Sequence, residues 1–428
     1  MEVSGANNRD SELILRRTGI SVLGVFFLTV FESKALINLF GIISLLLSFI
    51  YIWKYDKRIF INNQFLFLFI AAYPIGFLLG FLSDSGGVGA FSFLDRFKFM
   101  LLMLPLTVFV QHRKDLHFLL IMFFISATIA VFYGIYEQQP YGLFHGVHKI
   151  GRTADMMVVA FLSVLIYLTL FNNLMSAKSF VIKIILLFLN VLFAWAIMMS
   201  EMRGSWLGLF VGGLVSACIL LLYNRKALLF NSLIIVFVFL CIGYLGSIKD
   251  HFVRIDNQIE SISDTESNYS NNARLHLWKT GWDFSQEHFF FGTGAKQNKP
   301  LFIAFFNEQT DEYQKKYQLA IKYPGELHNS YMQIHVETGV IFFLFYIFGI
   351  IYSLLVMAKN IKRVPIKDQK YLVVAIVSAS AFLVCQFFHS DLYHYGSVVF
   401  YLSLFSGCYV LNQNNQAAWF GKGYKYES

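Results

Sequence analysis

Residues 179–223 read SFVIKIILLFLNVLFAWAIMMSEMRGSWLGLFVGGLVSACILLLY, two apolar runs joined by a short polar turn. A helix needs about twenty mostly apolar residues to cross a bilayer core, and each run, 179–199 and 205–223, has that length. Two such runs back to back predict a helical hairpin in lipid. Ten further runs follow on either side, at 18–33, 35–53, 63–82, 97–111, 116–136, 153–172, 228–248, 337–357, 371–388 and 395–411. The expected fold is therefore all-α: a polytopic membrane protein of about 12 transmembrane helices. Composition agrees, since 57% of residues are hydrophobic and only 14% charged, where a soluble domain carries about 25% charged residues.

Charge sets the expected orientation. With the N-terminus in the cytoplasm, inner segments hold 19 Lys and Arg, and the five short outer connections hold six: Lys34, Arg96, Lys98, Lys149, Arg152 and Arg203. Membrane proteins collect basic residues in cytoplasmic loops, so both termini are expected in the cytoplasm. The net charge of +8 then reflects topology, and nucleic-acid binding is a poor reading of it. The polar start, MEVSGANNRD, lacks a small-residue cleavage site, which predicts a retained first helix and no signal peptide. The four cysteines (218, 241, 385 and 408) lie in apolar runs and read as buried thiols.

Three regions follow: 1–248 with nine helices, a long outer loop at 249–336, and 337–428 with three helices and a cytoplasmic tail. The loop holds 9 Lys/Arg and 11 Asp/Glu, with Trp278, Trp282 and Phe289 to Phe291, as a folded cap on a membrane surface would. A helix is expected over 271–287, capped by Asn271 or Asn272, with Gly292-Thr293-Gly294 breaking the chain after it.

The outer side holds the residues suited to chemistry. Arg203, in Ser200-Glu201-Met202-Arg203-Gly204-Ser205-Trp206, reads either as an arginine snorkelling to headgroups beside Glu201 or as an anion ligand. A guanidinium fork matches phosphate oxygens and stays charged at any relevant pH. Arg274 is a solvated helix residue or a second ligand; Arg152, after His145, His148 and Lys149, is a headgroup anchor or a third. His328, in Pro324-Gly325-Glu326-Leu327-His328-Asn329-Ser330-Tyr331, is a capping histidine or a proton acceptor, with His335 as its rival. His389, Asp391 and His394 read as a polar turn sooner than a metal site. The chain has no Asp-x-Asp and no Walker-type loop, so phosphate chemistry here would rest on arginine.

At these residues the chain resembles the bacterial O-antigen ligase and polymerase family. The resemblance is carried by Met202-Arg203-Gly204-Ser205-Trp206-Leu207, Asn272-Ala273-Arg274, Glu287-His288-Phe289-Phe290-Phe291-Gly292-Thr293-Gly294, His328-Asn329-Ser330-Tyr331 and Glu337-Thr338-Gly339, over roughly residues 190–355. Phe289 departs from the Pro that relatives often carry. The resemblance implies an inverting, metal-independent glycosyltransferase without cofactor in the bacterial inner membrane, with its active site in the periplasm. The donor it implies is a glycan on undecaprenyl diphosphate, and the acceptor a sugar hydroxyl of lipid A–core. Arg203 and Arg274 would hold the diphosphate, and His328 would orient or deprotonate the acceptor. Arg152, Asn329 and Tyr331 join the two arginines as substrate-binding candidates.

The ligase is favoured over a polymerase that shares its donor; a third branch of the family glycosylates protein hydroxyls. A transporter or lipid-linked glycan flippase is the reading from another class. The loop after the ninth run spoils a six-plus-six repeat, and intramembrane acids are scarce.

Overall fold

The computed structural model describes residues 2–55, 64–137, 153–170, 177–200, 202–247, 269–322, 324–389, 392 and 394–413. Among the described residues the chain is helical, without strands. The first helices are α1 (Glu2–Leu28), α2 (Lys34–Lys54), α3 (Gln64–Gly80) and α4 (Gly86–Arg96). A 3-10 turn (Lys98–Leu102) leads into α5 (Met103–Phe109), followed by α6 (Arg113–Glu137), α7 (Ala154–Thr169), α8 (Ala177–Met199), α9 (Arg203–Tyr223) and α10 (Arg225–Ser247). The loop region supplies α11 (Tyr269–Glu287), α12 (Asn298–Glu308) and α13 (Asp311–Lys316). The chain continues with α14 (Ser330–Asn360), α15 (Ile366–Cys385) and α16 (Ser397–Gln413).

Each of the twelve apolar runs falls on a helix. By length and composition six of the described helices can cross a membrane: α2, α6, α8, α9, α14 and α15. Three shorter apolar stretches, Leu68–Gly80, Lys98–Phe109 and Ala154–Thr169, accompany them. The fourth run is thus a 3-10 turn plus seven α-helical residues, and α4 is an extra helix in a connection expected to be short.

Burial separates the centre from the lipid-facing rim. In α15, 72% of the apolar window is buried, against 28–39% in the other five long helices. In α7 every residue except Tyr167 is buried, and in α16 everything from Ser397 to Leu411 is. A helix apolar on all sides is one that can be enclosed by others.

Small residues bring α9 against α15. A side chain at Gly208 would sit 2.3 Å from Cys385 Sγ and 2.9 Å from the Ala381 oxygen; one at Gly212 would sit 2.9 Å from Ala381 Cβ. Gly208 and Gly212 lie four apart, the spacing that lets backbones approach where van der Waals packing drives association. Ser163 of α7 and Ser378 of α15 share a hydrogen bond at 3.1 Å in the same core. This packing puts the start of α9 beside the end of α15.

Above that point the loop helices enclose a small core of their own, including Leu277, Phe284, Phe302, Phe306, Leu327 and Val336. Val336 belongs to α14, so the cap and the bundle share this residue.

Candidate active site

The first turns of α7, α9 and α14, the end of α15 and one face of α11 converge at one end of the bundle. Arg203 is the first residue of α9 and donates from Nη1 to Asn271 Oδ1 at 2.9 Å. The helix α11 begins at Tyr269, two residues earlier than expected, so Asn271 lies inside it and uses its side chain on Arg203. Arg274 is three residues further along, on the same face. Burial first, then the charge of Arg203, pulls the Arg274 guanidinium below its usual value. Among the described residues no carboxylate pairs with Arg274. A guanidinium does not relieve such a position by losing its proton; an anion relieves it.

His328 stands next to this pair with φ of 48°, a left-handed conformation that is uncommon outside glycine. Its neighbours hold it there. The Leu327 amide donates to Gln333 Oε1 at 2.9 Å, and the Leu327 carbonyl accepts from Trp278 Nε1 at 3.0 Å. Gly325, at φ 89°, gives its carbonyl to Asn298 at 2.7 Å and to Gln333 at 3.1 Å. Burial and then Arg274 lower the proton affinity of His328, with exposed Glu326 opposing and His389 adding to the decrease. The imidazole is therefore neutral at neutral pH and able to accept a hydrogen bond or a proton.

A second constellation was not visible in the sequence. Asp155, in the first turn of α7 and 3% exposed, accepts from Ser205 Oγ at 2.7 Å and Gln386 Nε2 at 3.1 Å. Its Oδ2 lies 2.7 Å from His389 Nδ1. Ser330 ties the same point to α14: its hydroxyl donates to Gln386 Oε1 at 2.8 Å and its amide to the His389 carbonyl at 2.9 Å. Gly204 makes room for the imidazole, since a Cβ there would lie 2.9 Å from Phe388 Cβ and 3.3 Å from His389 Nε2.

Other candidates have different places. Asn329 caps α14, its oxygen accepting from the amides of Tyr331 at 3.0 Å and Met332 at 3.1 Å. The Tyr331 hydroxyl donates to the Leu383 carbonyl at 2.6 Å, tying α14 to α15. His335 packs among Trp282, Phe289 and Phe343, away from the arginines, and its Nε2 has no hydrogen-bond partner. Arg152, like His145, His148, Lys149, Glu201 and Asp391, lies outside the described residues. His394 is pushed down to about 3 by burial and by Arg96, Lys34 and Lys296, so it is neutral. Among the described residues no three His, Cys, Asp or Glu side chains gather as metal ligands.

The Gly292-Thr293-Gly294 break has a structural use. Helix α14 is itself broken at Gly339, at φ 71°. The Thr293 amide donates to the Val336 carbonyl at 2.9 Å, Gly294 to Glu337 at 3.0 Å, and Val340 back to Phe289 at 2.8 Å. A Cβ at Gly339 would lie 2.1 Å from the Phe290 oxygen, so only glycine fits. From the other side α4 and the residues before it close over the turn: Asp84 N donates to Gly292 O at 3.3 Å, and a Cβ at Gly89 would lie 2.8 Å from Gly294 Cα. Arg96 holds the buried Glu337 with two bonds, at 2.6 and 3.0 Å.

Residues 188–347 match the family model described as O-antigen ligase. The chain carries an O-antigen ligase family domain. Among curated proteins none matches the chain. The O-antigen ligase domain supplies Arg203, Arg274, His328 and Glu337, while Asp155, Gln386, His389 and Arg96 come from segments outside the match. Ligases and polymerases share this domain.

Proposed function

We propose that this protein is an O-antigen ligase of the bacterial inner membrane, moving a polysaccharide from undecaprenyl diphosphate to a sugar hydroxyl of lipid A–core at the periplasmic face. The observation that carries this reading is that Arg203 and Arg274, from separate elements, are close enough to repel, with no carboxylate on Arg274 among the described residues. A diphosphate satisfies both guanidinium groups, and its charge grows as the glycosyl bond breaks, where fixed cations count most. His328 then sits where it can orient or deprotonate the acceptor hydroxyl, for an inverting displacement. Because guanidinium groups supply the positive charge, transfer is expected to continue in EDTA; a strict divalent-metal requirement would overturn this part of the reading. The excess of basic residues in the opposite loops supports a periplasmic site.

A deletion strain run on a lipopolysaccharide gel tests the reaction. Loss of a ligase leaves bare lipid A–core while polymerised glycan builds up on the lipid carrier. A core capped by a single repeat unit would instead make this a polymerase working on the same donor.

A further inference from the structure

His389 has a buried carboxylate behind it, whereas the carboxylate that pairs with His288, Asp84, is half exposed. Asp155 is 2% exposed at its side chain, and three donors (Ser205, Gln386 and His389) converge on its two oxygens. Three donors on a buried carboxyl favour its ionised form. With Nδ1 committed to Asp155, Nε2 is the nitrogen turned toward Gly204 and the start of α9, where Arg203 stands. The His389 carbonyl is held by the Ser330 amide at 2.9 Å, two residues from His328. A histidine filling space in a turn would need none of this.

We propose that His389, oriented and charge-balanced by Asp155, is the group that takes the acceptor's proton, leaving His328 to orient the hydroxyl. The assignment rests on the glycosyl-transfer reading above. The acceptor O–H bond breaks and its proton goes to His389 Nε2, while Nδ1–H continues to donate to Asp155. The oxygen's electron pair forms the new bond to the anomeric carbon. The bond from that carbon to the phosphate oxygen breaks, and its pair leaves on the diphosphate, held by Arg203 and Arg274. The two histidines differ in what a proton meets. On His328 it joins the positive charge of Arg274, which already lowers that ring's proton affinity; on His389 it meets Asp155 at 2.7 Å. In this scheme His389 is a catalytic residue and Asp155 a positioning residue.

The test uses the purified full-length protein with a lipid-diphosphate-linked glycan as donor and lipid A–core as acceptor, following kcat and KM against pH. The titratable groups set beside His389 are Asp155 from α7 and His328 ahead of α14, and Cys385 and Gln386 on its own side bond Asp155. His389→Ala is expected to lose about 10²–10⁴-fold in kcat, the usual share of general-base catalysis, with donor KM unchanged and rate restored by added imidazole. Asp155→Asn should lower the plateau and move the acid limb to lower pH, because the proton is held less well without the carboxylate. A His389→Ala enzyme at wild-type rate overturns the assignment. So does a loss that imidazole does not rescue, or an Asp155→Asn enzyme whose acid limb stays in place. Should Asp155→Asn fail to accumulate, the imidazole rescue decides alone. A wild-type protein that transfers no glycan overturns the glycosyl-transfer reading, and the assignment with it.

Discussion

Helix α15 runs between two polar clusters about 30 Å apart, at about 1.5 Å per residue over 20 residues. At its start Asp368, 1% exposed at the side chain, meets Arg113 at 2.7 Å, and nearby Asp115 meets Arg16 at 3.2 Å. At its end Arg274 feels the charge of Arg203, and among the described residues no carboxylate pairs with it. Taking charges out of water costs several kcal/mol each, and the first cluster offsets that cost internally. The second leaves part of the cost for a ligand to offset. Where a fold pairs its cations they hold helices together; where it sets cation against cation it has built a place for an anion.

The largest expected effect tests the paired class. Arg96→Ala leaves Glu337, 0% exposed at its side chain, without its guanidinium. Breaking a buried pair costs about 3–5 kcal/mol, so the variant should melt well below wild type in detergent; an unchanged Tm would mean that the pair does not lock α4 to α14. Acid attacks the same end. His394 has its folded pKa depressed to about 3 from 6.5, so its contribution is complete above pH 6.5 and declines as pH falls toward 3, by up to about 1.4 kcal/mol per pH unit. His394→Gln should flatten the Tm-against-pH curve in that window, and an unaltered curve would exclude His394 as the source.

The cation-facing class is expected to behave in the opposite way. Arg274→Ala should leave thermal stability intact or slightly raised, since it removes a like charge. It should nevertheless slow transfer by roughly 10- to 150-fold, for a charge-assisted bond of about 1.5–3 kcal/mol. Arg203→Lys should also be impaired, because an ammonium cannot reproduce the fork; a fully active Lys variant would argue for headgroup anchoring. The smallest effect belongs to Arg113→Ala. Its side chain is 40% exposed, so solvent screens the pair to about 1 kcal/mol, and Lys370 stays close enough to balance the buried Asp368. Turnover per folded molecule should not change, and a drop would join the two ends functionally.

Most of the fold was legible because membrane spans are written as uninterrupted apolar runs. The arginines stood out as cations placed against the charge rule. Asp155 did not, since a single acid at the head of an apolar run also reads as an interfacial cap. Its partners Ser205, Gln386 and His389 lie 50 to 234 positions away. Arg96 entered only as one of six outer charges, because nothing in the sequence sets it beside Glu337. Gly292-Thr293-Gly294 read as a chain break, which it is; that a second break at Gly339 receives it depends on tertiary contact. The Asn329 and Tyr331 side chains are used for a cap and a helix tie, roles that local sequence does not separate from ligand binding.

The break at Gly339 bears on how the protein is made. The amide of Val340 is satisfied by residue 289, and the carbonyls of Val336 and Glu337 receive the amides of residues 293 and 294. Unsatisfied backbone groups are costly in lipid. The ribosome delivers the Gly292–Gly294 turn first, so the turn waits outside for the helix it completes. We expect α14 to settle into the bilayer only once that turn is folded, which makes the loop a checkpoint in biogenesis. Newly synthesised Gly294→Val chains should therefore stay protease-sensitive near residue 339 long after wild-type chains are protected; equal protection times would remove the checkpoint.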